Sequence, residues 1–193
     1  MSVLIRPRGT RSRQGEMSRR VGKVLKIFLI VGVILFGFHT QSIITEANSL
    51  SPVTYDDGIP EDIRDYCEVI GAEYNICPEL LEAICYQESR FIPSVKNKKC
   101  YGLMQVNVKV HADRIDDYGW TSEDMFDPFK NITVAADYLK ELYETYGDDD
   151  PLILLYYCGD VKGIANYKEY GWITEYVTEI LNRSANYERI HGK

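Results

Sequence analysis

The chain is poor in the residues that build metal centres. Its three histidines, His39, His111 and His191, lie far apart, and no C-x-x-C pair or Cys/His cluster forms a zinc-type ligand set. The acidic run Asp148-Asp149-Asp150 reads as a solvated loop, so neither a metal nor another cofactor is expected. Internal repeats and low-complexity tracts are missing, which removes solenoids and disordered arrays from consideration. No segment alternates apolar and polar residues for long enough to make a major strand, which argues against a sheet-based fold. What remains is an ordinary globular balance. With 26% charged and 45% hydrophobic residues in 193, the chain is long enough for one domain and an appendage.

Charge is unevenly placed. Residues 1–26 hold eight Lys/Arg against one acid, Glu16, a local charge of +7, so the rest of a chain of net −7 carries −14. An acidic body without a basic stripe argues against nucleic acid as a partner. The basic segment instead precedes the most apolar run, IFLIVGVILFGF at 27–38, which extends to Ile44 if His39 to Ser42 are admitted. Residues 27–44, at ~1.5 Å rise each, just span a hydrocarbon core of ~30 Å. The expectation is a single-pass anchor in the cell membrane with the acidic body outside the cytoplasm. The alternative is a signal peptide and a secreted product, although Thr45-Glu46-Ala47 is a poor cleavage site. Met17 would give a start with a shorter basic region. Five cysteines, Cys67, Cys77, Cys85, Cys100 and Cys158, leave an odd thiol in a compartment where disulfides are allowed.

Residues 45–60 are polar, with two prolines and a glycine, and read as a linker. From Glu61 the pattern turns helical: Ile63, Tyr66, Cys67 and Ile70 share a face, and Asn75 is placed to end the helix. Pro78 suits a first helical position, and Leu80, Leu81, Ile84 and Cys85 make the stripe of a helix to about Arg90, stopped by Pro93. A basic loop at 94–101 has room for a hairpin. Lys109 to Tyr118 reads as a short helix, Phe129 to Tyr146 as the longest. The apolar run LILLYYC after Asp150-Pro151 reads as the buried central helix, and Trp172 to Asn182 as the last amphipathic one. The class is mostly α with a small hairpin: a domain at 61–185 and a tail at 186–193.

Four segments offer chemistry. Glu88 lies four residues after Ile84 and seven after Leu81, so it projects from the apolar face of its helix. A carboxyl desolvated there has a raised pKa, as a general acid requires; by spacing alone a solvated helix-end glutamate fits as well. In Tyr101-Gly102-Leu103-Met104-Gln105-Val106-Asn107, glycine permits a close turn, and the amides of Gln105 and Asn107 suit sugar hydroxyls and acetamido groups. Asn131 to Leu139 reads as core helix. Tyr156-Tyr157-Cys158-Gly159 closes the apolar run, where a tyrosine either bonds a carboxylate or fills the core.

Taken in order, Glu88-Ser89-x-Phe91, then Gly102-Leu103-Met104-Gln105, then Asn131-Ile132 with Tyr138-Leu139, then Tyr156-x-x-Gly159 resembles the SLT-type lytic transglycosylases, a branch of the lysozyme-like superfamily. The resemblance covers about residues 61–185. It implies an α+β lysozyme-like fold with a small hairpin flanking the cleft, and peptidoglycan glycan strands as the partner. It further implies Glu88 as the catalytic glutamate, Ser89 as the serine beside it, and Met104 and Gln105 along the saccharide groove. Tyr156 is implied as a tyrosine hydrogen-bonding near the glutamate, and Tyr176 as one bordering the cleft. Two departures stand out. Asn97-Lys98-Lys99-Cys100 replaces the family's longer Ser-x-x-Gly-Ala, and Tyr157 replaces the asparagine of Tyr-Asn-Ala-Gly.

No second carboxylate falls where a lysozyme has one, whereas ordinary glycosidases use two. The resemblance therefore implies that Glu88 acts first as acid and then as base, closing a 1,6-anhydro ring on the muramoyl sugar. Two alternatives stay open: a hydrolytic muramidase using the same glutamate, and an inactive wall-binding module of a secretion or conjugation apparatus.

Overall fold

The computed structural model describes residues 57–193. The basic segment, the apolar run at 27–44 and most of the linker lie outside those residues. Among the described residues no helix is long and apolar enough to cross a membrane.

Seven α-helices and one short sheet make up the described chain: α1 (Glu61–Tyr74), α2 (Pro78–Ser89), α3 (Ala112–Asp117), α4 (Pro128–Tyr146), α5 (Asp150–Tyr157), α6 (Val161–Tyr170) and α7 (Glu175–His191). Asn75 ends α1 in the left-handed conformation, at φ 56°, and Pro78 begins α2. Asp127, Asp149, Asp160 and Thr174 cap α4 to α7 by accepting from backbone N–H groups of the first turns. The basic loop forms the hairpin β1 (Lys96–Asn97) and β2 (Cys100–Tyr101), joined by β3 (Val106–Asn107) in an antiparallel order β1-β2-β3. Asn97 pairs with Cys100, and Cys100 with Asn107.

The buried centre differs from expectation. Helix α2, not α5, is the more enclosed: Glu79 to Cys85 and Ser89 are all buried, with α7 and α1 packed against it. In α5 only Ile153, Leu154 and Leu155 are buried. The two acids inside α2 had hidden it, because hydropathy reads charge as exposure even where ion pairs permit burial. Two further differences lie near the C-terminus. An unforeseen α6 runs from Val161 to Tyr170 with only Gly163 buried, and the last helix extends to His191 through the residues read as a tail. The described end of the linker is also fixed: Asp57 accepts from Arg64 and faces His191 at 2.8 Å. None of the five cysteines is bridged.

Candidate active site

Glu88 sits in the last turn of α2, where the chain leaves the helix abruptly. Arg90 and Phe91 both take positive φ, 53° and 61°. Such a turn costs non-glycine residues energy and tends to occur where a site needs it. It leaves Glu88 half-buried in a cleft of about 420 Å³. The hydroxyl of Tyr176, on the first turn of α7, donates to Glu88 Oε1 at 2.6 Å. Burial raises the Glu88 pKa above the ordinary carboxylate value, and the Tyr176 bond offsets part of that rise. Burial and the nearby Glu88 push the Tyr176 phenol far up, so it remains a donor. Among the described residues Glu88 is the one carboxylate lining the cleft.

The facing wall is set by one asparagine. Asn131, fully buried on α4, donates to the carbonyls of Tyr101 and Met125, both at 2.8 Å, and accepts from Met104 N–H at 2.8 Å. Gly102 makes this approach feasible: a Cβ there would stand 2.1 Å from the Met125 carbonyl and 2.4 Å from Asn131 Nδ2, at a φ of +79°. Tyr157 closes the clamp by donating to the Met104 carbonyl at 2.8 Å. Met104 is thus held on both backbone groups from two helices.

Gln105 and Asn107 follow on the same wall. Gln105 Nε2 donates to the Gly102 and Val95 carbonyls at 2.8 Å and 3.2 Å. Asn107 Oδ1 accepts from the Lys109 and Val110 N–H groups at 3.2 Å and 3.3 Å. Gln105 therefore presents an amide oxygen and Asn107 an amide nitrogen, a complementary acceptor and donor for a polar ligand.

Glu88, Met104, Gln105, Asn107, Tyr156 and Tyr176 all line one cleft. Two sequence expectations need correction. Ser89 faces away: it is buried, and its hydroxyl donates to the Cys85 carbonyl at 3.0 Å, the back-bond a serine makes inside a helix. Tyr156 lines the cleft, yet its hydroxyl accepts from Lys168 at 2.9 Å, while the tyrosine on Glu88 is Tyr176. The Asn131 clamp was not legible as such: the sequence marks Asn131-Ile132 as part of the family resemblance and otherwise as core helix. Tyr157 stood out only as a departure from the family's asparagine, with nothing in its spacing to make it the partner of Met104.

His111 and Tyr138 also line the cleft, their rings 4.6 Å apart. Burial, helped by Arg114, lowers the His111 pKa, which favours a neutral ring able to donate and accept. Cys100 and Cys158 complete the lining. Burial pushes both thiols up, joined by the Glu88 charge at Cys100 and by the Asp160 and Glu88 charges at Cys158, the reverse of what a thiolate nucleophile needs.

Comparison with known proteins identifies the family of the domain. The transglycosylase SLT domain matches residues 65–173. Two curated relatives, both called protein IpgF, from Shigella flexneri and Shigella sonnei, are each 35% identical over 89 residues. That alignment takes in 43% of this chain and 58% of each relative, so the chain spans well under two thirds of their length. Tyr176, the partner of Glu88, falls just beyond the matched domain.

Proposed function

The chain belongs to the transglycosylase SLT domain family, and on that footing we propose that it cleaves peptidoglycan glycan strands with Glu88 as both acid and base. The bond cut is the β-1,4 link between N-acetylmuramic acid and N-acetylglucosamine. The observation that carries the reading is a half-buried carboxyl, the single one lining the cleft among the described residues, hydrogen-bonded by Tyr176 and with its pKa raised by burial. The mostly helical domain with a small sheet beside that cleft supports a lysozyme-like setting.

Glu88 donates its proton to the glycosidic oxygen, and the bond from that oxygen to the muramoyl C1 breaks. The N-acetylglucosamine leaves as an alcohol. The muramoyl acetamido oxygen shares its electrons with C1, so the substrate supplies the stabilisation that a second carboxylate gives elsewhere. The Glu88 carboxylate, steadied by the Tyr176 hydroxyl, then takes the proton of the C6 hydroxyl. That oxygen closes on C1, forming the 1,6-anhydro ring and returning Glu88 to its acid form. Gln105 and Asn107 offer the acceptor and donor that hold sugar substituents, and Met104 an apolar contact beside them.

The eight basic residues ahead of the apolar run support a body held outside the cytoplasm, tethered by residues 27–44 or released. A secretion or conjugation channel is a fitting site for a tethered enzyme of this kind; co-purification of the tethered form with channel components checks it. The cleavage reading is tested by mass spectrometry of the muropeptides released from purified peptidoglycan. Anhydromuramoyl ends are expected, and reducing ends alone would replace the reading with hydrolysis.

A further inference from the structure

Lys168 stands at the edge of the cleft without a carboxylate partner. Its ammonium donates to the Tyr156 hydroxyl at 2.9 Å and lies 5.3 Å and 5.8 Å from the ring centroids of Tyr156 and Tyr146. Those two rings stack 4.0 Å apart with 9° between their planes. Tyr156 lines the cleft that holds Glu88, while Lys168 itself is exposed just outside that lining. A lysine on a helix surface is ordinarily a mobile point charge. Here two aromatic faces and a hydrogen bond fix it.

Among the described residues Lys168 enters no ion pair, in a chain with 29 acids to 22 bases. The hairpin wall repeats the pattern. Asn97 and Cys100 line the cleft, and Lys96, Lys98 and Lys99 beside them are likewise outside every ion pair of the described residues. An acidic protein thus keeps unpaired cations at its cleft. Neutral sugar hydroxyls make little use of them, whereas peptidoglycan strands carry peptides on the muramoyl lactyl group, and those peptides bear carboxylates that are either free or amidated.

We propose that Lys168, held by Tyr156 and Tyr146, binds a free carboxylate of the muramoyl-linked peptide and sets a preference for strands whose peptide carboxylates are free over strands in which they are amidated. The proposal rests on the peptidoglycan reading and names which form of that substrate the cleft selects. An ammonium has three donors, and the Tyr156 bond uses one. The remainder reach a carboxylate by charge-assisted hydrogen bonds.

The test is a binding titration with the Glu88→Gln chain, which reads recognition apart from cleavage. Soluble peptide-bearing glycan strands are used with their peptide carboxylates free or converted to methylamides. Strands with free carboxylates are expected to bind about fivefold tighter, the scale of one exposed charge pair. Adding Lys168→Met, which keeps the stem against the two rings, brings the ratio to about one; Lys168→Arg keeps most of it. Equal affinity for both strands, or a ratio that Lys168→Met leaves in place, overturns the proposal. Binding of neither strand overturns it together with the peptidoglycan reading. Equal affinity of the Glu88→Gln chain for both strands, while the unmutated chain still releases muropeptides, overturns the preference alone.

Discussion

Helix α2 carries three glutamates in two settings, and the contrast between its ends explains why only one is placed for catalysis. At the first end Glu79 and Glu82 are each 1% exposed. Glu79 faces His191 Nδ1 at 2.9 Å and Lys193 Nζ at 2.6 Å, while His191 Nε2 faces Asp57 at 2.8 Å. Burial pushes the Glu79 pKa up, but the bonds from Lys193 and His191 outweigh it and bring the value down to about 2. Glu82 has no such partner on its Oε2, and burial raises it to about 8. At the other end Glu88 meets one phenol and open space. One residue type on one helix thus takes three protonation behaviours, set by partners and by access to a ligand. Glu79 is locked as an anion and Glu82 held neutral in the interior. Glu88 alone combines a pKa raised by burial with access to a ligand.

The largest expected effect breaks this comparison directly. Glu88→Gln should lower muropeptide release by about 10²- to 10⁴-fold, the usual worth of a general acid, with little change in melting temperature. Glu82→Gln, no further from it than two helical turns, should leave release within about twofold. Equal losses from the two variants would erase the distinction between the ends.

Next in size is the wall opposite Glu88. Asn131→Ala removes three hydrogen bonds from a fully buried clamp. At ~1 kcal/mol for each bond lost, it should destabilise the fold by about 3 kcal/mol in urea unfolding, and muropeptide release should fall further than the loss of folded protein accounts for.

Tyr176→Phe sharpens the account of Glu88 itself. The lost bond favoured the charged form, so the Glu88 pKa should rise further. The descending limb of kcat/KM then moves to higher pH, and the rate at the optimum drops by about tenfold because the carboxylate intermediate loses its donor. An unmoved limb would mean that Tyr176 only borders the cleft.

The smallest effect concerns stability at the first end. Glu82 has a folded pKa of about 8, above its ordinary 4.5. Its favourable contribution is complete below about pH 4.5 and is lost as the pH rises toward 8, because the unfolded chain ionises first. His191 adds the same sign: burial opposes its charge, but Asp57 and Glu79 raise its pKa, so its contribution is lost as pH rises through that value. Glu82→Gln should therefore flatten the fall in melting temperature between about pH 5 and 8 without removing it.

Parts of this arrangement were legible in the sequence, for identifiable reasons. Apolar spacing together with Asn75 and Pro78 marked α1 and α2, since each signal is local. Glu88 and Gly102 to Gln105 stood out through their order and distance. The rest depends on contacts distant in sequence. The pairing that buries the first half of α2 joins Glu79 to His191, 112 residues away, so its charges looked solvated. Helix α6 buries only Gly163 and therefore shows no stripe. The adjacent Tyr156 and Tyr157 divide their work by direction, one toward Lys168 and one toward Met104, and wording alone does not tell them apart.

The central claim, that one carboxylate serves as acid and then as base, is tested most directly by digesting peptidoglycan in ¹⁸O-labelled water and weighing the new muramoyl ends. A ring closed by the sugar's own C6 oxygen takes nothing from solvent, so the account predicts anhydro ends free of label. Reducing ends carrying ¹⁸O would show that Glu88 activates water and would contradict it.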